Sequence, residues 1–334
     1  MRTPKDRDFL ETDEGMFFCV TGYLHPPDKI TAYLKYSPAV KGKWKRGTTY
    51  FRRELPYYHV FSISDTIDYL KENYPHYVHF CPVRHIEMSM VPISYIKKYY
   101  NPETRMNQLF SEPKDELEEK VAAFAQEIMD ETGIPLKVLG VTGSILINLH
   151  NPVFSDMDVI VYGKENSLKV KNTLKTLAHV AILENEKKEE WIQHKMKIFC
   201  MDRRQAQLFA ARKWNYGFFK NTYFSVHPTR TDAEITGTYG DVTYTGRGPA
   251  TVRAEIADSS ESMFLPALYK IDNVKVMKGE DVVIEEIVSY EGVYCDVFSE
   301  GEKVEARGRL EQVNGKYRLV LGTLEVKNQY MRFV

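Results

Sequence analysis

Apolar positions recur along this chain with two different periods, and the change from one to the other divides it. Leu117, Val121, Phe124 and Ile128 fall at i, i+4, i+7 and i+11, one face of a helix over 115–132. Gly133 stands where a C-cap belongs and Pro135 forbids continuation. The run Leu136–Val141 then reads as a buried strand, Ile145–His150 as a short helix, and Val159-Ile160-Val161 as a second strand. Ser167–Val180 predicts a helix behind that strand. Asp202 caps a further helix, Arg203–Trp214, and Gly217–His227 reads as a strand.

Beyond about residue 236 the helical period disappears. Thr251–Ile256, Asp281–Val288, Lys303–Leu310 and Tyr317–Leu321 read as strands, and Asn314-Gly315 is a hairpin turn. Val304, Ala306, Gly308 and Leu310 alternate with Glu305, Arg307 and Arg309, predicting one buried and one wet face. Before residue 110, Met16–Gly22 and Ile30–Tyr36 read as strands, and Ser64 caps a helix ending near Tyr74-Pro75. The expected fold class is therefore α+β with three domains. These are an N-terminal α+β region of unstated role (1–110), an α/β core with a mixed sheet (111–235), and a small all-β region (236–334). The last is either a barrel, OB-like, or a sandwich.

Composition narrows the class without choosing a function. The 334 residues are 43% hydrophobic and 27% charged, with a net charge of −1. That is an ordinary globular balance, and it excludes a uniformly basic nucleic-acid coat. No apolar run approaches a membrane span, the opening Met-Arg-Thr-Pro-Lys-Asp is no secretory signal, and Cys19, Cys81, Cys200 and Cys295 form no close pair. A reduced, cytoplasmic setting without a membrane partner is expected. The oligomeric state is not legible.

The chemistry concentrates between residues 136 and 162. Gly143-Ser144 is followed, after eleven residues, by Asp156-Met157-Asp158. Side chains at i and i+2 of a strand share a face, so the two carboxylates point together and Met157 points away. Neighbouring carboxylates repel unless a cation joins them, and Mg²⁺ prefers carboxylate oxygens together with substrate phosphates. A glycine allows close backbone approach to a phosphate, the helix start favours anions, and Ser144 adds a hydroxyl donor.

Val141-Thr142-Gly143-Ser144, the gap, and Asp156-Met157-Asp158-Val159 together resemble the active-site motif of the DNA polymerase β-like nucleotidyltransferase superfamily. More loosely, Arg7-Asp-Phe-Leu-Glu-Thr12 and Gly22-Tyr-Leu-His-Pro-Pro27 give the whole chain a resemblance to archaeal predicted nucleotidyltransferases. The resemblance implies a transfer of a nucleoside monophosphate from a nucleoside triphosphate such as ATP to a hydroxyl acceptor. Asp156 and Asp158 would hold Mg²⁺ or Mn²⁺, and Gly143 and Ser144 would cradle phosphates. It implies basic help from Arg203 and Arg204, and a third carboxylate on a later strand. The matching strand, Phe218–His227, carries no acid; Asp232 and Glu234 lie just beyond it, and His227 is an alternative ligand.

Between Lys35 and Arg53 there are seven basic residues and no acidic one: Lys35, Lys41, Lys43, Lys45, Arg46, Arg52 and Arg53. Trp44, Tyr50 and Phe51 interleave with them. Cations for phosphates and flat rings for bases suit single-stranded RNA or DNA, and a solvated edge strand accounts for the same pattern. His79, Cys81 and His85 offer three zinc ligands of the four a structural site needs. His25 before Pro26-Pro27 reads as structural. The expected function is thus Mg²⁺-dependent nucleotidyl transfer, with a catalytically inactive, nucleic-acid-binding relative of such enzymes as the alternative.

Overall fold

A computed structural model of the protein describes residues 2–55, 59–182 and 185–334. It is a mixed α+β structure with three sheets, and the chain divides into two compact units that interleave in sequence. One comprises Met1–Pro56, Ser89–Leu183 and Trp214–Thr236; the other comprises Tyr57–Met88, Glu184–Lys213 and Gly237–Val334.

The first unit holds two sheets. In the larger, the strands Trp44–Arg46, Thr49–Arg53, Lys29–Ala39, Phe17–Val20, Phe9–Thr12 and Ile96–Tyr100 lie side by side in that order. Phe9–Thr12 and Phe17–Val20 are buried at every position. Phe17–Val20 therefore reads in sequence as an apolar run without alternation, whereas Phe9–Thr12 buries Glu11, held by Arg46.

The second sheet carries Val180–Ile182, Tyr216–Phe219, Thr222–Thr229, Met157–Tyr162 and Leu139–Val141 in that spatial order. The acidic strand Met157–Tyr162 runs antiparallel to Leu139–Val141 and parallel to Thr222–Thr229. One face of this sheet is apolar. Met157, Val159, Val161, Phe224 and Val226 meet Leu117, Val121, Phe124 and Ile128 of the helix Glu116–Thr132 in one core. Each of those four helix side chains contributes about 1.5–3 kcal/mol by leaving water. Phe124 packs between Phe219 and Phe224, with ring centroids 5.0 and 4.7 Å away. Asp115 caps this helix by accepting from the Leu117 and Glu118 amides, and Gly133 ends it at φ +69°.

Several expected elements differ. Leu136–Val138 is a 3₁₀ turn, so the strand begins only at Leu139. The helix expected over 145–150 is instead Gly143–Leu146; Asn148 takes φ +55° and Leu149 bonds back to the Ser144 carbonyl. Ser167–Val180 is not one helix. Lys164–Thr173 is helical, a 3₁₀ turn follows, and Val180–Ile182 is a strand. Gly217–His227 is a hairpin, broken by Lys220 and Asn221 at positive φ. The helix Pro102–Ser111, capped by Asn101, was not expected.

In the second unit, the first helix spans Val60–Asn73 and is capped by His59, one turn before the expected Ser64. The helix Asn185–Ile198 escaped the sequence reading because half of its residues are charged and few are apolar; Trp191 and Ile192 are its buried anchors. The all-β region forms a closed ring of pairings: Tyr244–Glu261, Ala267–Lys278, Ile284–Ser289, Lys316–Leu321, Lys303–Val313, and back to Tyr244–Glu261. The hairpin turn is as expected, with Asn314 and Gly315 both at positive φ. The wet face expected on Lys303–Val313 is not wet, since Glu305, Arg309 and Glu311 are buried. Neighbouring strands supply counter-charges, Arg253 and Arg332 to Glu305 and Arg318 to Glu311, so a ladder of ion pairs replaces solvent there.

Candidate active site

Opposite its apolar face, the second sheet carries polar chemistry. Asp158 stands in register with Ser225, and His227 lies two residues further along the same strand. The Ser225 hydroxyl donates to Asp158 Oδ1, and His227 Nε2 lies 2.7 Å from Ser225 Oγ. Because that hydroxyl's proton is committed to Asp158, the network assigns the Nε2–H tautomer to His227, which donates to Ser225. Burial, helped by the charge of Arg7, pushes His227 down to about 4, so the imidazole is neutral at pH 7. Burial alone would raise Asp158. The hydrogen bonds from His227 and Ser225 and the charge of Lys35 outweigh it and hold Asp158 well below the usual carboxylate range.

Asp156 sits two residues earlier, at the end of a loop built by Asn151 and Ser155. The Asn151 side chain accepts from the Val153 amide at 2.9 Å, and the Ser155 hydroxyl accepts from the Asn151 amide at 2.9 Å. Loss of solvent on its protein side, together with the Asp158 charge, pushes Asp156 up to about 6 against the pull of Arg53. The pair is thus split into one firm anion and one carboxyl that holds its proton more tightly, the outcome when two acids share a site without enough positive charge between them.

Gly143 meets Asp158 directly. Its φ is +68°, and a Cβ built there would lie 3.4 Å from Asp158 Cγ and closer still to Oδ2, inside van der Waals contact. The Thr142 amide bonds to the Asp158 carbonyl at 2.9 Å, and the Thr142 hydroxyl to the Arg7 carbonyl at 2.6 Å. Leu146, Ile147 and Leu149, just after the turn, pack into the core of the first sheet beside Phe9, Phe17 and Phe51. The structure therefore brings Gly143, Ser144, Asp156 and Asp158 together. The helix Gly143–Leu146 has only four residues, too short to sum a useful dipole. What the turn offers an anion is backbone and the half-buried Ser144 hydroxyl.

The other sequence-predicted residues divide. Arg53 acts on Asp156 electrostatically. Lys43 and Lys45 are exposed on the neighbouring hairpin. Arg46 is drawn into the first sheet, where it grips Glu11 at 2.8 Å and the Tyr100 hydroxyl at 2.8 Å. Arg52 pairs with Glu54 at 2.9 Å. Asp232 pairs with Lys5 at 3.0 Å, and Glu234 caps its own turn and accepts from the Lys164 amide, so neither acid is turned toward the pair. Arg203 and Arg204 open a helix of the second unit, where Arg203 holds Glu189 through two bonds of 2.8 and 2.7 Å. Sequence reading did not single out Ser225 or Arg7. Ser225 was detectable as a polar residue sharing the two-residue period of His227 between apolar Phe224 and Val226.

One further group of ligand-type side chains converges among the described residues, Asp115, Glu118 and His150, with atoms within 4.8 Å of one another; His79, Cys81 and His85 form no such group. Its members are already engaged. Asp115 caps a helix and bonds His150 at 2.8 Å, and Glu118 is paired with Arg105. The Arg105 guanidinium on Glu118 makes this a partly buried ion network that ties Pro102–Ser111 to Glu116–Thr132, and its charge opposes a cation.

The chain is 32% identical to the uncharacterized protein MJ1086 of Methanocaldococcus jannaschii, over 339 residues that cover 98% of each. No protein-family model matches it, and no solved structure matches it. No helix among the described residues is long and apolar enough to cross a membrane.

Proposed function

The chain belongs to the family of this archaeal protein, whose name assigns no activity, and we propose from the site's own chemistry that it is a metal-dependent nucleotidyltransferase. The observation that carries the reading is the mutual repulsion of Asp156 and Asp158, beside a turn that only glycine can make so close to the Asp158 carboxylate. The order of helix, strand, Gly-Ser turn, acidic strand and parallel neighbour supports it further.

The donor set fits Mg²⁺ or Mn²⁺. Both groups are hard carboxylates, His227 is neutral, and Asp156 holds its proton more tightly for want of positive charge beside it. Asp156 and Asp158 would hold the ion. When bound, it supplies neutralisation of phosphate charge and alignment of the reacting oxygens. Ser144 and the backbone at Gly143 would bind the phosphates of a nucleoside triphosphate. Ser225 and His227 fix the Asp158 carboxylate, and Lys35 and Arg7 keep it anionic. An acceptor hydroxyl attacks the α-phosphorus, the bond to the pyrophosphate oxygen breaks, and pyrophosphate leaves. Most of the rate comes from positioning and charge compensation.

Asp158→Ala is expected to abolish incorporation from labelled nucleoside triphosphates, assayed with Mg²⁺ or Mn²⁺ and a panel of hydroxyl acceptors, while circular dichroism stays unchanged. Undiminished turnover would remove Asp158 from the mechanism. One observation favours a second reading. Ser225 and His227 occupy the register positions of the neighbouring strand where a third carboxylate would stand. The second reading is therefore a catalytically inactive nucleic-acid-binding protein, supported also by the closed β ring, whose pairing order suits an oligonucleotide-binding barrel. It predicts no incorporation with any acceptor by the unaltered protein.

A further inference from the structure

A cavity of about 380 Å³ is linked to the acid pair through Arg53, which acts on Asp156, and through Trp44, which meets Phe154 of the loop before it. Its lining includes Lys41, Lys43, Trp44, Phe51, Arg52 and Arg53. Lys41 and Lys43 are exposed and make no ion pair among the described residues, whereas Phe51 is buried and Trp44 half-buried. Trp44 meets Tyr36 edge-on at 5.6 Å and Phe154 at 6.2 Å. Phe154 belongs to the loop that ends at Asp156, and Arg53 acts on Asp156. Asp158, by contrast, abuts Gly143. The two carboxylates thus stand between a phosphate-binding turn and a cavity of cations and flat rings.

We propose that this cavity receives the end of a single-stranded nucleic acid, whose terminal hydroxyl is the acceptor. The assignment rests on the nucleotidyl-transfer reading. Its volume lies in the range of small-ligand sites, enough for one nucleotide unit. Lysine and arginine at the rim suit backbone phosphates, and an aromatic wall suits a base of any identity, because every base has a π face. The triphosphate belongs on the Asp158 side, where the turn offers donors, and the acceptor on the Asp156 side. The terminal oxygen bonds to the α-phosphorus, the bridging bond to the β-phosphate breaks, and pyrophosphate departs with the electron pair. The hydroxyl proton passes to water. The product is a strand longer by one nucleotide.

The test uses the full chain and a 5′-fluorescein-labelled single strand of about 12 nucleotides, a length within the range one such groove accepts. Anisotropy is read against salt for the unaltered protein and for the Lys41→Ala/Lys43→Ala variant, with MgATP binding measured in parallel. Both lysines are exposed, so the variant keeps the fold. The expected result is about tenfold weaker strand binding and a log–log salt slope smaller by about 1.4, with MgATP binding unchanged. Strand binding equal in the two proteins overturns the proposal. So does weakened MgATP binding, which would assign the cavity to the triphosphate. Incorporation into a small-molecule or protein hydroxyl, with no strand binding, overturns the acceptor and leaves nucleotidyl transfer standing. Lysine-dependent strand binding with no incorporation supports the cavity as a strand site and overturns transfer.

Discussion

Replacing Gly143 by alanine separates two contributions that the structure superimposes there. The backbone sits at φ +68°, where a side chain costs about 1–2 kcal/mol. The new methyl would also overlap Asp158, whose carboxylate must withdraw by on the order of 1 Å to restore contact distance. It cannot do so freely, because Ser225 and His227 hold its other oxygen. Gly133 provides the control. It has nearly the same φ, +69°, with nothing within 4 Å of the place a methyl would take, so Gly133→Ala carries the backbone strain without the overlap. Gly133→Ala is expected to lose about 1–2 kcal/mol in urea unfolding, and Gly143→Ala at least as much. Only Gly143→Ala is expected to lose function, by about 100-fold in incorporation rate, the effect of a misplacement of that size at a reacting centre. Mn²⁺ binding, followed by electron paramagnetic resonance, should weaken in the same variant alone. If Gly143→Ala binds Mn²⁺ and turns over like the unaltered protein, the observed Asp158 carboxylate position is not the working one, and close approach of backbone to carboxylate has no part in the chemistry.

Two other perturbations test the frame around the site. His25 Nε2 lies 3.1 Å from the Pro4 carbonyl, and its Nδ1 accepts from the Thr31 amide at 3.2 Å. Protonating Nδ1 would set two N–H groups against each other, and burial lowers the folded-state pKa to about 4. The unfolded chain takes this proton near 6.5, so the contribution is complete above that pH and is lost as pH falls from 6.5 to 4. The loss amounts to about 3 kcal/mol in urea unfolding and should be absent from His25→Gln. Arg105→Ala leaves Glu118 buried without its cation and should cost about 3–5 kcal/mol in the same measurement, whereas Zn²⁺ or Ca²⁺ should not raise the melting temperature of the Asp158→Ala variant, which lacks the proposed cation site, if this cluster is an ion network.

The second sheet's apolar face and its helix were legible because a single period governed them: Leu117, Val121, Phe124 and Ile128 point one way for eleven residues. The Gly-Ser turn and the acidic pair were legible because their chemistry is local. What escaped depended on partners distant in sequence. Asn185–Ile198 shows almost no apolar period, since only a few of its side chains reach a core. Glu305, Arg309 and Glu311 look solvent-facing until the arginines of adjacent strands are known. Arg46 looks like its basic neighbours, and only the first sheet's pairing reveals that Glu11 claims it. Ser225 became part of the site only once the parallel register set it beside Asp158, and His227, an alternative ligand in the sequence, stands there as the partner of Ser225.

The functional face of the second sheet is roofed by material from the beginning of the chain. Tyr162 is covered by Lys5, 5.3 Å from its ring, and Arg2, at 6.0 Å; Thr142 is tethered to Arg7; and Lys35 and Arg53 tune the acids. An excised fragment starting at residue 111 would keep both aspartates and yet strip away every one of these supports. It would bare Tyr162 to solvent and leave the carboxylates without Lys35 and Arg53. The first fifty-odd residues are therefore cast together with the acid pair, and no version shortened from that end should be mistaken for the intact site.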